Sequence, residues 1–335
     1  MPNFPFITIG ILSYKDQKYL TQNLSELKKL DYPEYEIVIC DNNPDDTILE
    51  WLKKEHPDIK VIRPGGNIGF GRGHNLLIDQ CKGDFYLGFN SDMLPEPGFL
   101  KELMTTMQKD DKTGIVTGKL LQWRTFPTKP TLNEKHYIDT AGLLIHKNHQ
   151  VIDRGQTEED MGQYDQEEEI WGASGAAPLF RIKALKDIAH SEGEYFDKDF
   201  FLYKEDVDLA YRMHWAGWKA VYNPRAVAWH DRTTSKPESI FSMVGERKNR
   251  SKIVKEQSFA NQMILTFKNW SNEYSWTTKL KTAFFLFKYT MYALLVEPYL
   301  LKQFKTYSKM KPVMTEKRKK MPRRITAQEM EKWFI

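Results

Sequence analysis

Phe85-Tyr86-Leu87-Gly88-Phe89-Asn90-Ser91-Asp92 is the run on which the reading of the fold turns. Five apolar or small residues, too few for a stable helix, read as a buried strand, and three polar turn formers follow at its carboxyl end. Upstream, strand and helix signals alternate. Residues 6–12, 36–40 and 59–62 are short apolar or β-branched runs suited to strands. Between them, residues 19–30 carry Leu20, Leu24, Leu27 and Leu30 at helical spacing, and residues 47–56 read as a second helix. A Gly-rich loop spans residues 64–73, and a helix is predicted over 74–81. This alternation predicts an α/β fold with parallel pairing and helices on both faces. Ligands of open α/β sheets sit beyond the carboxyl ends of the strands, which makes Asn90, Ser91 and Asp92 candidate site residues.

Downstream the pattern loosens. Residues 115–121 read as a strand, 122–170 as loops with a hairpin around 138–152, and 176–180 as a strand. Residues 205–215 are helical, and 219–222 and 226–230 are short strands, so the second half completes one mixed sheet. From Pro237 onward the chain reads as helices, which divides it into residues 1–236 and a helical extension over 237–335. Residues 283–301 are strongly apolar, but Lys288, Glu297 and Pro298 interrupt them, so they are read as interfacial or core rather than membrane-spanning. Thr326 and Glu329 form a capping-box pattern for a last short helix.

The formal charge of +4 is unevenly spread. Ten basic residues and one acid, Glu316, lie between Lys302 and Arg324, so the rest of the chain is net acidic. A basic run of this kind points to an anionic partner, with a membrane surface favoured over nucleic acid; a helical subdomain or homo-oligomer contact with a solvated basic face is the alternative. Cys40 and Cys81 form no C-x-x-C motif, and no basic-then-apolar leader pattern is seen at residues 1–6, so a reducing, cytoplasmic setting is expected.

Several short motifs carry chemistry when taken together, although each alone also reads as a turn or helix cap. Mg²⁺ needs only one or two carboxylates beside phosphate oxygens, so Asp92 alone suffices to anchor a metal-bound diphosphate. Asp41 and Asn42 close a strand where a carboxylate can accept a base N–H. Asn67-Ile68-Gly69-Phe70-Gly71-Arg72-Gly73-His74 is not a dinucleotide fingerprint, because His74 replaces the third glycine and the run does not follow the first strand. Its glycines still permit close backbone approach to a ligand. Ala173-Ser174-Gly175 is a second small-residue turn. Glu205 and Asp206 open a helix behind Phe200, Phe201 and Tyr203, an apolar wall able to raise a carboxyl pKa toward that of a general base. Asp208 and Arg212, four apart on that helix, read as a surface ion pair. His230 ends a strand and is able to join Asp92 as a metal ligand.

In their order along residues 6–235, these motifs resemble the family 2 glycosyltransferases of the GT-A fold, in particular a rhamnosyltransferase-like branch. The matching runs include Ile11-Leu12-Ser13-Tyr14, Cys40-Asp41-Asn42, Asn67-Ile68-Gly69-Phe70-Gly71, Asn90-Ser91-Asp92, Glu205-Asp206-Val207-Asp208 and Ala216-Gly217-Trp218. The resemblance implies a mixed, mainly parallel sheet flanked by helices. It implies that Ser13, Tyr14, Asp41, Asn42, Asn67, Gly69, Arg72, Asn90, Ser91, Ser174 and Gly175 contact a UDP- or dTDP-sugar donor. It gives Asp92 and His230 to a divalent metal, Mg²⁺ or Mn²⁺, and the catalytic base to Asp206 with Glu205 second. The implied reaction inverts the anomeric centre and transfers the sugar to a saccharide or lipid-linked acceptor in cell-surface polysaccharide synthesis. Asn90 departs from the family's Asp-x-Asp, which leaves a silent nucleotide-sugar-binding protein as the alternative. A nucleotidyltransferase would need a Gly-rich phosphate loop where Ser13-Tyr14-Lys15-Asp16 stands.

Overall fold

The computed structural model describes residues 4–123, 125–232 and 251–335. The expected division at 236/237, and the start of the helices expected after Pro237, lie outside those residues. The first half runs β1 (Ile7–Ser13), α1 (Gln17–Leu27), β2 (Tyr35–Asp41), α2 (Thr47–Glu55), β3 (Lys60–Ile62), α3 (Phe70–Ile78), β4 (Phe85–Gly88), β5 (Met93–Pro95), α4 (Phe99–Met107) and β6 (Thr113–Gln122). The second half adds β7 (Ile138–Thr140), β8 (Leu143–Ile145), β9 (Val151–Asp153), β10 (Glu168–Ile170), β11 (Leu179–Arg181), α5 (Ile182–Ile188), α6 (Glu205–Trp215) and β12 (Lys219–His230). Helices α7 (Lys252–Lys268), α8 (Trp276–Leu295), α9 (Gln303–Lys320) and α10 (Ala327–Glu331) follow, with a 3-10 turn at Pro298–Lys302.

The main sheet has the order β10-β12-β6-β11-β4-β1-β2-β3, with β5 on β12 and β7 on β6. β1 is parallel to β2 and β4, β2 to β3, and β6 to β12. β11 is inserted antiparallel between β4 and β6. The carboxyl ends of β1, β2, β4, β6 and β12 therefore share one edge, where Ser13, Asp41, the turn after Gly88 and His230 meet. Alternation along β1 sets the two faces. Ile7, Ile9 and Ile11 join the core under α1 and α4, while Leu12 packs with α3, α5 and α6 on the other face.

Two elements differ from the sequence expectation for physical reasons. The strands expected at 219–222 and 226–230 form one strand, β12, whose register slips between Asn223 and Val227 around Pro224. A proline has no N–H to give to the ladder, so the strand bulges there rather than ending. Helix α3 starts at Phe70, inside the Gly-rich stretch. A side chain on Gly73 would collide with Leu12 of β1, so the glycines let the first turn of α3 press against the sheet.

The C-terminal helices are built onto α6. Val207, Ala210, Tyr211 and Trp215 share a buried cluster with Leu265 of α7, Met314 of α9, Met330 of α10 and Phe334. The capping box of α10 is formed as its sequence predicts. Much of the basic run from 302 to 324 is consumed in this packing rather than free: Lys317 is buried among Glu194, Asp197 and Asp199, Arg324 pairs with Asp187, and Arg323 lies over the Trp215 ring.

Candidate active site

The turn after β4 forms the floor of a cleft of about 330 Å³, lined by Tyr14, Lys15, Asp16, Phe70 and Asn90-Ser91-Asp92. Asp16, not singled out from the sequence, joins the two strand ends. It accepts hydrogen bonds from Ser13 Oγ at 2.6 Å and from Ser91 Oγ. Burial pushes its carboxyl above the usual range, and the two hydroxyls offset this only in part. Tyr14 is exposed at the mouth. Asn90 gives its backbone to the frame, its N–H to Ala176 O at 2.9 Å and its O to Asn23 Nδ2 at 3.0 Å.

Asp41 and Asn42 lie at the end of β2 on the same edge. Asp41 is fully buried. Its Oδ1 accepts from Asn43 Nδ2 at 2.8 Å, while its Oδ2 stands 3.2 Å from Arg63 Nε without hydrogen-bond alignment. Asn42 binds Ile68 N–H at 3.0 Å and Asn67 Oδ1 at 3.1 Å, and Asn67 Oδ1 also accepts from Gly69 N at 3.0 Å. The Asn67–Gly69 turn is thus tied to Asn42. Gly69 has φ +89°, and a Cβ there would stand 2.5 Å from Phe201 O, so this glycine serves contact within the chain. Arg72 is exposed and donates from Nε to Lys198 O at 3.0 Å; it does not line the cleft.

His230 sits between two acids. Its Nε2 is 3.3 Å from Asp92 Oδ1, and its Nδ1 is 2.8 Å from Asp139 Oδ2. Burial opposes the imidazolium, but Asp92 and Asp139 outweigh it and push the ring up to about 10. Arg232 continues the chain to Asp153 Oδ2 at 2.8 Å. The donor set fits a divalent cation once the cation displaces the Nε2 proton that otherwise pairs with Asp92. One carboxylate oxygen and one imidazole nitrogen converge, and the second ring nitrogen is oriented by an outer carboxylate, the usual support for a metal-ligating histidine. Asp139, Asp153 and Arg232 were not found in the sequence reading. Among the described residues, two acid-rich clusters elsewhere have ligand-like spacing, His190/Asp197/Asp208 and Glu194/Asp197/Asp199. Lys268 and Lys317 already lie among them, so their charge is met by ammonium groups.

The two carboxylates at the start of α6 face different surroundings. Glu205 is turned inward, with Oε2 buried and unpartnered. Burial first, and the neighbouring Asp206 second, push its carboxyl up to about 8. Asp206 is partly exposed. Its Oδ2 accepts from Gly175 N at 3.2 Å and its Oδ1 from Val207 N at 2.8 Å. Ser174 is buried beside Gly175. A Cβ on Gly175 would stand 3.1 Å from the Phe70 ring, and Phe70 also lines the cleft, so the Asp206 region and the β4 turn border one another. The expected apolar wall is only partly there. Phe200 is buried, but Phe201 and Tyr203 are exposed, and α3 at Gly71 lies beside Glu205. Asp208 and Arg212 are not a surface pair. Both are fully buried, 2.8 Å apart, and Arg212 also donates to Ile188 O and Tyr195 O. The pair is internal because α7 and the 194–200 loop cover that side of α6.

A mixed sheet with polar residues gathered at the carboxyl ends of its parallel strands, and with a carboxylate pair on a helix beside them, defines the GT-A class of sugar-nucleotide transferases. The profile described as "Glycosyltransferase like family 2" matches residues 2–251, and the chain belongs to that family. It is 25% identical over 230 residues to the poly-beta-1,6-N-acetyl-D-glucosamine synthase of Staphylococcus epidermidis, covering 67% of this chain and 49% of the relative. The Staphylococcus aureus enzyme of the same name is 24% identical over 229 residues. The chain thus spans about half the length of these relatives. In fold it is similar to S. aureus TarS residues 1–349, at TM-score 0.54 and 17% identity over 94% of this chain and 87% of that one. It is also similar to GalNAc-T7, solved with UDP, GalNAc and Mn²⁺, at TM-score 0.57 and 11% identity over 90% of this chain and 58% of that one.

Proposed function

We propose that this chain is an inverting, metal-dependent transferase that moves a sugar from a nucleoside diphosphate to a saccharide or lipid-linked acceptor. The observation that carries the reading is the contrast at the head of α6: Glu205 is buried and favours its protonated form, while Asp206 is partly exposed beside the cleft. Asp206 is the base. Two backbone N–H groups fix its plane, which leaves its remaining lone pairs for the acceptor hydroxyl. As that oxygen bonds to the anomeric carbon, its proton passes to Asp206 and the bond to the diphosphate oxygen breaks with its electron pair. A single displacement with no enzyme nucleophile inverts the centre. A divalent cation on Asp92 and His230 would neutralise charge on the departing diphosphate. Asp41 and Asn42 hold the nucleoside, and the Asn90-Ser91 backbone, braced by Asp16, positions the donor.

The donor is a UDP- or dTDP-sugar. UDP is favoured because TarS and GalNAc-T7 were solved with UDP or UDP-GlcNAc, whereas rhamnose rests on sequence resemblance alone. The place of action is the cytoplasmic face of the cell membrane, with Cys40 and Cys81 as free thiols. Released nucleoside diphosphate, measured across a panel including UDP-GlcNAc and dTDP-rhamnose with Mg²⁺ or Mn²⁺, tests the reading. Asp206→Asn should lower turnover at least about 10³-fold while calorimetric nucleotide binding stays within about twofold. Turnover that survives in Asp206→Asn removes the base assignment. Turnover unaffected by a chelator removes the metal.

A further inference from the structure

Helix α8 shows one apolar face to solvent along its whole length. At 3.6 residues per turn, Trp276, Leu280, Ala283, Phe284, Phe287, Met291 and Leu294 fall on one side. Trp276 is 76% exposed, Leu280 63%, and Phe284 and Phe287 61% each. Leu295 and Val296 extend the patch at its end. The opposite side is fixed to the protein. Thr278, Thr282, Phe285 and Ala293 are buried, Thr282 Oγ1 donates to Lys147 O at 3.1 Å, and Tyr289 stacks on Phe259 at 4.6 Å. Exposed apolar faces of this extent mark an interaction site.

The edges of the face state which partner fits. Lys279 flanks it on one side, Lys281 and Lys288 on the other, and α8 contains no acidic residue. Lys279 and Lys288 lie over the Trp276 and Phe284 rings at 5.5 and 4.9 Å. An apolar stripe bordered by lysines, with an aromatic at its end, matches an anionic bilayer surface, whose acyl region takes the stripe while its headgroups take the lysines. Pairing with a second copy would instead bring lysines of both copies together with no acid on the helix to meet them. Crossing the bilayer is also disfavoured. No single described helix is long and apolar enough to span; α8 reaches that length and apolarity only together with the segment Pro298–Lys320, from which it is bent by 119°, and one side of α8 is already covered by protein. An apolar groove of about 430 Å³ between α7, α8 and α9, with Lys279 and Ala283 in its lining, gives an acyl chain a place beside the face.

We propose that the outer face of α8 docks this protein in-plane on an anionic membrane, and that this face, rather than the basic run after Lys302, is its principal lipid contact. The proposal names the surface behind the membrane location given above and does not depend on the transferase chemistry. The test is sedimentation of the full chain with phosphatidylcholine vesicles, with and without phosphatidylglycerol. The wild type should bind the anionic vesicles, and Phe284→Ser with Phe287→Ser should weaken that binding at least about tenfold. Lys281→Gln with Lys288→Gln should weaken it by a smaller, salt-dependent factor. Both variants alter exposed side chains, so circular dichroism and nucleoside diphosphate release should match the wild type. Equal binding by the Phe variant overturns the proposal, as does failure of the wild type to bind. A dimer in sedimentation equilibrium that the Phe variant converts to monomer also overturns it, in favour of a second copy.

Discussion

Replacing Lys268 by Met should be among the most destabilising single changes in this protein. Lys268 comes from α7 and has no solvent exposure. Its Nζ lies 2.5 Å from Asp197 Oδ2, 2.8 Å from Asp208 Oδ2 and 2.8 Å from His190 Nε2. Asp197 and Asp208 are also fully buried. Burial works against both charges, yet the surrounding cations outweigh it and hold both carboxyls below the usual range. Methionine keeps the stem's volume but removes the charge, the two charge-assisted hydrogen bonds to carboxylates and the contact with His190. At roughly 1.5–3 kcal/mol for each bond, the loss is about 3–6 kcal/mol, which agrees with about 3–5 for breaking a buried ion pair on one side. Asp208 keeps Arg212 and Asp197 keeps Lys317, so the expectation is the lower part of that range, about 3–4 kcal/mol, against about 5–15 for the whole fold. Urea unfolding at pH 7, followed by circular dichroism, measures it, with the midpoint falling at constant slope. Adding Asp208→Asn should recover part of the loss, because it removes one of the buried negative charges that Lys268 no longer balances. A cost below about 1 kcal/mol would refute the reasoning, since it would mean that these charges are solvated in the folded protein.

Asp139→Asn should weaken Mn²⁺ binding by about 10–100-fold in calorimetry, because Asp139 orients the His230 ring; unchanged affinity would separate His230 from the metal. Glu205→Gln should alter the pH profile of stability. The folded carboxyl, raised to about 8, favours the neutral form, so stability present below about 4.5 is lost as pH rises toward 8. The variant should lack that loss and be more stable at pH 9 by about 2–4 kcal/mol; thermal melts at pH 5 and 9 that shift in parallel for both proteins would count against it. Gly69→Ala forces a Cβ into a left-handed backbone and against Phe201 O, so it should cost about 1–3 kcal/mol and lower turnover more than nucleotide affinity. Wild-type turnover in that variant would show that the 197–204 loop yields freely.

The strands and the edge on which the site lies were legible because they have local signals. Apolar runs of strand length alternate with helical spacing, and polar residues end β1, β2 and β4. The residues missed are those whose partners come from far along the chain. Asp139 and Arg232 are separated by 93 positions, and Asp139 stands alone in a loop-rich stretch with no periodicity to mark it. Asp208 and Arg212 read as a surface pair because four-residue spacing is the geometry of an exposed helix face, and nothing local announces that Lys268, 60 positions on, will cover it. Lys317 read as part of a free basic tail for the same reason: its three acids lie more than 100 positions upstream. The glycines at 69, 71 and 73 showed that close approach was needed there, but not that Phe201, Phe196 and Leu12 are what approaches.

These contacts make the cleft at the β4 turn and the Asp206 carboxylate, the donor end and the base end of the proposed reaction, one mechanical unit. Phe70 lines the cleft and packs against Gly175, and the N–H of Gly175 holds Asp206. Gly69 and Gly71 seat α3 against the 196–201 segment that leads into α6. Two consecutive non-glycine residues in that lead, Tyr203 and Lys204, have φ +68° and +78°, a conformation kept only where surroundings enforce it. The enforcement comes from α7, since Asn261 Nδ2 donates to Leu202 O at 2.9 Å and to Tyr203 O at 3.0 Å. Lys268 of the same helix clamps Asp208, two residues past Asp206. A helix outside the sheet therefore fixes both the strained entry to α6 and the depth at which α6 sits. The direction of the Asp206 carboxylate, and with it the base of the proposed reaction, depends on α7 as much as on the strand ends.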